Sequence, residues 1–498
     1  MALLLGYDVG SSSIKATILD AQSGRSIASA SSPEKEMPII AKRPGWAEQD
    51  PGMWWQHLVN ATGKLRRSSN VSLKDVKAIG ISYQMHGLVA VDRQGGLVRP
   101  AIIWCDSRAV DVGRKAAQAI GKSRCLRNLL NLPGNFTASK LAWVKANEPR
   151  LYKRIYKVML PGDYIAYLMT GQIQTTPSGL SEAILWDYRK GGPARFVLDR
   201  LGIDPDLIPD LVDTFGLQGE LTKEAADQLG LDPGIPVAYR AGDQPNNAFS
   251  LGVLEPGQVA ATAGTSGVVY GITDQDRSDP KGRVNTFVHV NHQPARPRYG
   301  VLLCLNGAGI LNSWIKHQVC SGMEYPQMND AAAGIPAGSD GLVILPYGNG
   351  AERTLENRLI GGTIANLNFN IHTKAHLIRA AQEAVVFALH YGLQIMQKHA
   401  GVKVQMVRAG HANMFLSPIF ASAFATTTGA TVELYNTDGS QGAARAAGLG
   451  AGIYRNTRQA FSGLECIKRI RPDKRHADAY QQAYQLWLRQ LEAQMAKD

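Results

Sequence analysis

Four stretches of the sequence carry side chains whose types and spacing suit chemistry. In "DVGSSSIK", residues 8–15, the carboxylate of Asp8 stands just ahead of Gly10, Ser11, Ser12 and Ser13. Consecutive small residues in a tight turn aim backbone N–H groups at an anion, and hydroxyls add donors. "AGTSG", residues 263–267, offers a second such turn. Either turn alone also serves as a plain hairpin connection. A carboxylate beside a phosphate is repelled unless a hard cation such as Mg2+, which prefers carboxylate oxygens, lies between them.

The third stretch is "YRAGDQPNN", where Asp243 follows an apolar run. A carboxylate at a strand end can accept the proton of an attacking hydroxyl, which contributes roughly 10²–10⁴-fold to a rate. An Asx turn ahead of Pro245 is its other use. The fourth is "SYQMHGLV", residues 82–89, a strand ending in Gln-Met-His-Gly. His86 there can hydrogen-bond a hydroxyl while the Met85 thioether covers the apolar face of a sugar; a purely structural histidine is the alternative. The chain has no Gly-x4-Gly-Lys-Ser/Thr loop, which excludes a P-loop enzyme. "GLGAG", residues 448–452, lies inside a helical pattern rather than after a strand, so it is not read as a dinucleotide loop.

These residues need a frame. Residues 3–9, 14–20 and 25–31 read as three strands joined by tight turns, which makes an antiparallel meander, since a parallel crossover needs a dozen residues or more. "VKAIGISYQ" is a continuous apolar strand, and "LVAVDRQGGLVRPAIIW" reads as strand, Gly-Gly turn, strand. Residues 137–170 have a helical pattern that stops at Gly171. The strand, small-residue turn, strand order then returns at 257–274, with a third strand at 299–309, roughly 250 residues after the first. Such a duplication predicts two similar lobes facing each other, with a boundary near residues 241–255. Residues 376–400 form a strong helix, with Leu377, Ala381, Ala384, Ala388, Tyr391 and Ile395 on one face. Residues 404–409 read as a strand, Ser417-Pro418 as a helix start, and 440–454 as a small-residue helix suited to close packing.

Bulk properties narrow the class. A chain of 498 residues folds as two or more domains, and its ordinary composition marks a globular protein. The net charge of +12 comes from scattered residues, with the densest cluster, "IKRIRPDKRH", near the C-terminus. That distribution fits a solvated basic face or an anionic small-molecule ligand rather than nucleic acid. Five widely spaced cysteines without a Cys-x-x-Cys pair argue against a disulfide framework or zinc cluster and for a reducing compartment. "MALLLGYDVG" lacks a basic region, and its apolar run ends after three leucines, so neither a signal peptide nor a membrane span is expected. The expected location is the cytoplasm.

Taken together, these stretches resemble the FGGY family of carbohydrate kinases, most closely its members that phosphorylate D-xylulose. The resemblance runs to about residue 455. It rests on "DVGSSSIK", "GISYQMHGLV", "RPAIIWCDSR" (a Trp-x-Asp-x-Arg pattern), "NFTASKLAWVKANEP" with "VMLPGDYIAYLMTG", "AGDQPNNAFSLG", "LVILPYGNGAERT" and "AHLIRAAQEAVVFAL". It implies an α/β, two-lobed, actin-like fold of the ribonuclease-H or hexokinase type, with duplicated lobes around a central cleft. The N-terminal lobe would span residues 1–245 and bind the sugar and the first phosphate loop; the C-terminal lobe would span 246–498 and bind nucleotide. The implied activity is ATP- and Mg2+-dependent phosphorylation of a ketopentose, D-xylulose to D-xylulose 5-phosphate, with Asp243 as base. Asp8 would serve Mg-ATP, and Asp8 and Asp243 would hold the metal. Met85, His86, Asp243, Gln244 and Trp104 would bind the sugar. Gly10, Ser11, Ser12, Ser13, Lys15, Gly264, Thr265, Ser266 and Gly307 would hold phosphates, with Gly410 and Asn413 at the adenosine. Expected partners are the sugar and ATP alone, with no nucleic acid or membrane, and a homodimer as the assembly.

The chain departs from the family pattern at several points. Ala409 stands where a second glycine is usual, Ala412 where a basic residue is common, and Asn366 replaces a glycine. Gln244-Pro245-Asn246-Asn247 replaces a small-residue run, and "TTPSGLSEA" lacks an aspartate often found there. Three other readings stay open: a related kinase acting on ribulose or another ketose or polyol, an actin- or chaperone-like ATPase, and a non-catalytic sugar sensor.

Overall fold

The computed structural model describes residues 2–68 and 72–497; Met1 and Asp498, the ends of the two spans read from sequence, lie outside it. The chain forms two compact units. The first comprises Met1–Gly252, Phe287–Tyr299 and Thr437–Leu464; the second comprises Val253–Thr286, Gly300–Asn436 and Glu465–Asp498.

In the first unit the strands Leu3–Val9, Ile14–Asp20 and Ser26–Ser32 form the antiparallel meander expected from their short turns. Val76–Tyr83 adds parallel to the first strand and Val237–Gly242 parallel to that, so the sheet reads fifth, fourth, first, second, third in chain order. Strands buried on both faces read as continuous apolar runs rather than alternating ones, as "LLLGYDV" does. One face is covered by the helix Gly439–Gly450, which comes from far along the sequence. It packs backbone to backbone: a Cβ on Gly80 would stand 2.8 Å from the Ala443 carbonyl carbon, so only glycine admits the helix there. The small residues at 440–454 have that use.

In the second unit Gln258–Ala263 and Gly267–Thr273 form the recurring hairpin, with Tyr299–Leu305 as the neighbouring strand. Met406–Gly410 runs parallel to Gln258–Ala263, and Thr431–Tyr435 runs parallel to it in turn. Within this seven-stranded sheet those five strands repeat the order of the first unit, which is the duplication the sequence predicted. The helix Lys374–Ala400 ends at Gly401 with φ 72° and is buried nearly all round. Leu377 and Tyr391, on the face read from the sequence, are only partly buried, whereas Ile378, Val385 and Leu393 off that face are fully buried. Strand Val343–Tyr347 and helices Tyr325–Ala333 and Pro418–Thr428 pack around it, which is why one apolar stripe was not enough.

Val89–Val91 and Ala101–Ile102 are the two strands read from the sequence, joined by the antiparallel bridges Leu88–Ile102 and Val91–Leu97, and they also pair with Lys157–Met159 and Glu48–Gln49 respectively. One local reading needs correction. The expected helical run 137–170 is split into Thr137–Asn147, Pro149–Tyr152 and Pro161–Thr170 by that same strand Lys157–Met159. Tertiary strand pairing outweighs local helix preference over those three residues. Among the described residues no helix is long and apolar enough to cross a membrane.

Candidate active site

Asp8 lies next to last in its strand, where the apolar run must give way to a turn. Its Oδ1 accepts a hydrogen bond from Ser82 Oγ at 2.8 Å, on the neighbouring parallel strand. Burial pushes the Asp8 carboxyl above its ordinary range, and the charge of Asp438 adds to this. In the turn, the Gly10 amide donates to the Ser13 carbonyl at 3.1 Å, so the Gly10 N–H is spent within the turn. Lys15 does not point into that turn; its Nζ binds Asp438 Oδ2 at 2.7 Å.

Asp243 follows the strand Val237–Gly242 and opens the helix Asp243–Ser250. The Asx-turn alternative is therefore set aside, because a proline two residues on sits in the first turn of a helix, where its missing N–H costs nothing. A carboxylate at a helix N-terminus is favoured by the dipole. Burial, followed by repulsion from Asp8, nevertheless raises its carboxyl to about 7. The two carboxylates thus face a common space in the first unit. Among the described residues no group of three or more His, Cys, Asp or Glu is arranged to hold a metal ion. A pair of carboxylates nonetheless fits Mg2+, which usually takes one or two carboxylates and completes its shell with phosphate and water oxygens.

Met85 and His86 lie in the turn just beyond the strand Val76–Tyr83, which stops before the Gln-Met-His-Gly end read from the sequence. A Cβ on Gly242, the residue before Asp243, would lie 2.6 Å from Met85 Cγ, so Met85 packs against the backbone that leads to Asp243. His86 has φ 61°, a conformation uncommon outside glycine. Its ring packs edge-on to Phe136 with centroids 4.7 Å apart. Its carbonyl accepts from Lys140 Nζ at 2.8 Å, and Lys140 also donates to the Ile103 carbonyl at 2.9 Å. Lys140 is fully buried, and burial lowers its ammonium to about 7.

Trp104 is 52% exposed, and its indole N–H reaches Ser11 Oγ at 3.2 Å, which ties the expected sugar-binding tryptophan to the first turn. The rest of the Trp-x-Asp-x-Arg pattern is structural. Arg108 binds Asp106 and Glu48 at 2.7 Å each, and Asp106 accepts the Ala47 amide at 2.6 Å. That buried network clamps the loop from which Trp104 projects.

In the second unit, Gly264, Thr265 and Asn413 line one cavity of about 870 Å³ together with Gly309, Ser313, Asn329 and Ser417. The turn is braced by the Gly309 amide, which donates to the Gly264 carbonyl at 2.8 Å. Gly307 lines a separate apolar cavity of about 340 Å³ beside Trp314 and Pro346. Ser266 and Gly410 are not among the lining residues of the larger cavity. Sequence reading missed two residues of the first unit. Asp438 accepts the Gln441 amide at 3.0 Å as the cap of its helix and binds Lys15; the "DGSQ" start of the helix was its only local signal. Glu182 accepts the His86 amide at 3.0 Å, and nothing near it in sequence points to that.

The chain is similar to known proteins over nearly its whole length. The N-terminal domain of the FGGY family of carbohydrate kinases matches residues 3–250, and its C-terminal domain matches residues 259–451. A xylulose kinase of Bacillus subtilis (strain 168) is 30% identical over 463 residues, 91% of this chain and 89% of that protein. Among solved structures, a xyloylose kinase from Brucella ovis superposes with a TM-score of 0.90 at 26% identity, over 100% of both chains. A xylulose kinase from Rhodospirillum rubrum gives 0.89 at 26% identity, over 99% of this chain and 98% of that one. The paired sheets are thus the two-lobed, actin-like α/β fold of sugar kinases. With both halves of the chain matched and both small-residue turns in corresponding hairpins, the protein belongs to the FGGY family of carbohydrate kinases.

Proposed function

We propose that this carbohydrate kinase transfers the terminal phosphoryl group of ATP to the 5-hydroxyl of D-xylulose. The observation that supports the reading is the packing of Gly242, the residue before Asp243, on Met85. A carboxyl raised to about 7 is matched to accepting a hydroxyl proton near neutral pH. The similar proteins from Bacillus subtilis and Rhodospirillum rubrum are xylulose kinases, which favours the ketopentose over other alcohols.

In this mechanism Met85 and His86 orient the ketose, with Gln244 and Trp104 completing its pocket, and Asp243 takes the proton as the hydroxyl attacks phosphorus. Asp8 and Asp243 would hold Mg2+, which supplies neutralisation of charge on the transferring phosphoryl group. Ser11–Ser13 in the first unit, and Gly264 and Thr265 in the second, donate to phosphate oxygens, while Asn413 contacts the adenosine. All five cysteines are free, which suits action in the cytoplasm.

The test is ADP release with Mg-ATP and D-xylulose, D- and L-ribulose, L-xylulose, glycerol or no sugar. D-xylulose is expected to stimulate most. Another alcohol winning would overturn the substrate, and sugar-independent turnover would overturn the kinase mechanism proposed.

A further inference from the structure

His86 is held in place by one residue the family pattern does not point to. Glu182 ends the short helix Pro177–Glu182 and is 1% exposed. Its Oε2 accepts the His86 amide at 3.0 Å and stands 3.6 Å from the ring Nδ1. Its main-chain carbonyl lies 3.0 Å from the same Nδ1. A carbonyl oxygen only accepts, so Nδ1 must carry the hydrogen, and the neutral ring then has its lone pair on Nε2. One residue therefore fixes both the backbone of His86, at φ 61°, and its tautomer.

Two further observations single out Glu182. Its carboxylate is buried with the Tyr83 side chain beside it, at the end of the strand Val76–Tyr83. Both carboxylate oxygens would stand 3.2–3.3 Å from a Cβ on Gly242, so the carboxylate lies under the backbone leading to Asp243. The helix carrying it is anchored in turn: Ser178 Oγ donates to the Val288 carbonyl at 3.1 Å, and Ser181 Oγ accepts the Val288 amide at 2.8 Å. Phe136 and Phe287 flank the ring, at 4.7 and 5.5 Å between centroids, and restrict its rotation.

We propose that Glu182 is the positioning residue of the sugar site, setting the backbone and the Nδ1–H tautomer of His86 so that the ring meets the ketose in one orientation. This rests on the reading that His86 contacts the sugar. A ring free to change tautomer or swing would offer a donor and an acceptor by turns, and a polyol's hydroxyls would no longer be distinguished.

The experiment compares wild type, Glu182→Gln, Glu182→Asp and Glu182→Ala. The readouts are KM for D-xylulose, KM for ATP, and the imidazole ¹⁵N shifts of His86, assigned with His86→Gln. Wild type is expected to carry the hydrogen on Nδ1. Glu182→Ala removes the acceptor of the His86 amide and raises KM for the sugar by about tenfold or more, with KM for ATP unchanged, while the main-chain carbonyl keeps the hydrogen on Nδ1. Glu182→Gln, which keeps an oxygen on the His86 amide, retains the tautomer and most of the sugar affinity. Should the alanine variant not fold, Glu182→Asp, which withdraws the carboxylate by one methylene, must show the same split. A wild-type ring bare at Nδ1, unchanged sugar KM in every folded variant, or equal rises in both KM values overturns the proposal. Were no sugar turned over by wild type, the function proposed above would fail, while the ring shifts would still decide the role of Glu182.

Discussion

Lys15 Nζ lies 2.7 Å from Asp438 Oδ2, closing an ion pair between residues at opposite ends of the sequence. Asp438 also accepts from Ser440 Oγ at 2.7 Å and caps the helix that covers the first sheet. Burial pushes the Asp438 carboxyl up, but Lys15 and these donors more than reverse it, leaving it below the ordinary range. A depressed carboxyl contributes stability that is present above its unfolded value and lost as pH falls through the folded one. Because Lys15 is 37% exposed, solvent screens the pair. Lys15→Met should cost no more than ~1 kcal/mol at pH 7, and the difference from wild type should shrink as pH falls below the ordinary carboxylate range. Urea unfolding at pH 7 and through the acid range checks this.

Asp243→Asn should lose activity by roughly 10²–10⁴-fold while making the protein more stable. With the folded carboxyl at about 7, the stability it contributes is full below its unfolded value and is lost as pH rises toward 7. Asparagine does not ionise, so its melting temperature should exceed wild type by an amount that grows from pH 4 to 7 and then levels. In wild type, kcat/KM should fall on the acid side below about 7. A constant difference in melting temperature across that range would sink the assignment.

Gly439 is the first residue of its helix, and a Cβ there would come 2.8 Å from Asp8 Cγ. Alanine gains up to ~1 kcal/mol in helix propensity, but overpacking a rigid site costs ~1–3 kcal/mol, so the clash decides the sign. Gly439→Ala should be less stable than wild type and lose kcat by about tenfold or more, because Asp8 must shift. Thermal unfolding and steady-state rates measure both.

Asn413 has φ 55°, and its Nδ2 would lie 3.4 Å from a Cβ on Gly264, so side chain and turn define one wall of the larger cavity. Asn413→Ala should raise KM for ATP by about tenfold while leaving KM for the sugar within twofold. Equal changes in both would remove Asn413 from the nucleotide site.

Much of the frame was legible because its signals are local. The apolar run of Leu3–Val9, the Gly-Ser turn after Asp8 and their recurrence at Gln258–Thr273 specify hairpins through sequence neighbours alone. The order of motifs sufficed to identify the family, and both small-residue turns join hairpin strands where predicted. Ser417 likewise caps its helix through its own side chain, accepting the Phe420 amide.

Other features depended on partners distant in the chain. Lys157–Met159 became a strand because Val89–Val91 was there to pair with it, and Lys374–Ala400 was buried all round because three elements enclose it. Asp438 and Glu182 show the same limit at the site: their roles lie in contacts with Lys15 and His86, 423 and 96 residues away. The sequence determined which groups could do the chemistry and which strands would carry them. Only the tertiary structure decided how they are charged and oriented, because burial, repulsion between carboxylates and hydrogen bonds to a histidine ring arise between residues that meet only when the chain folds.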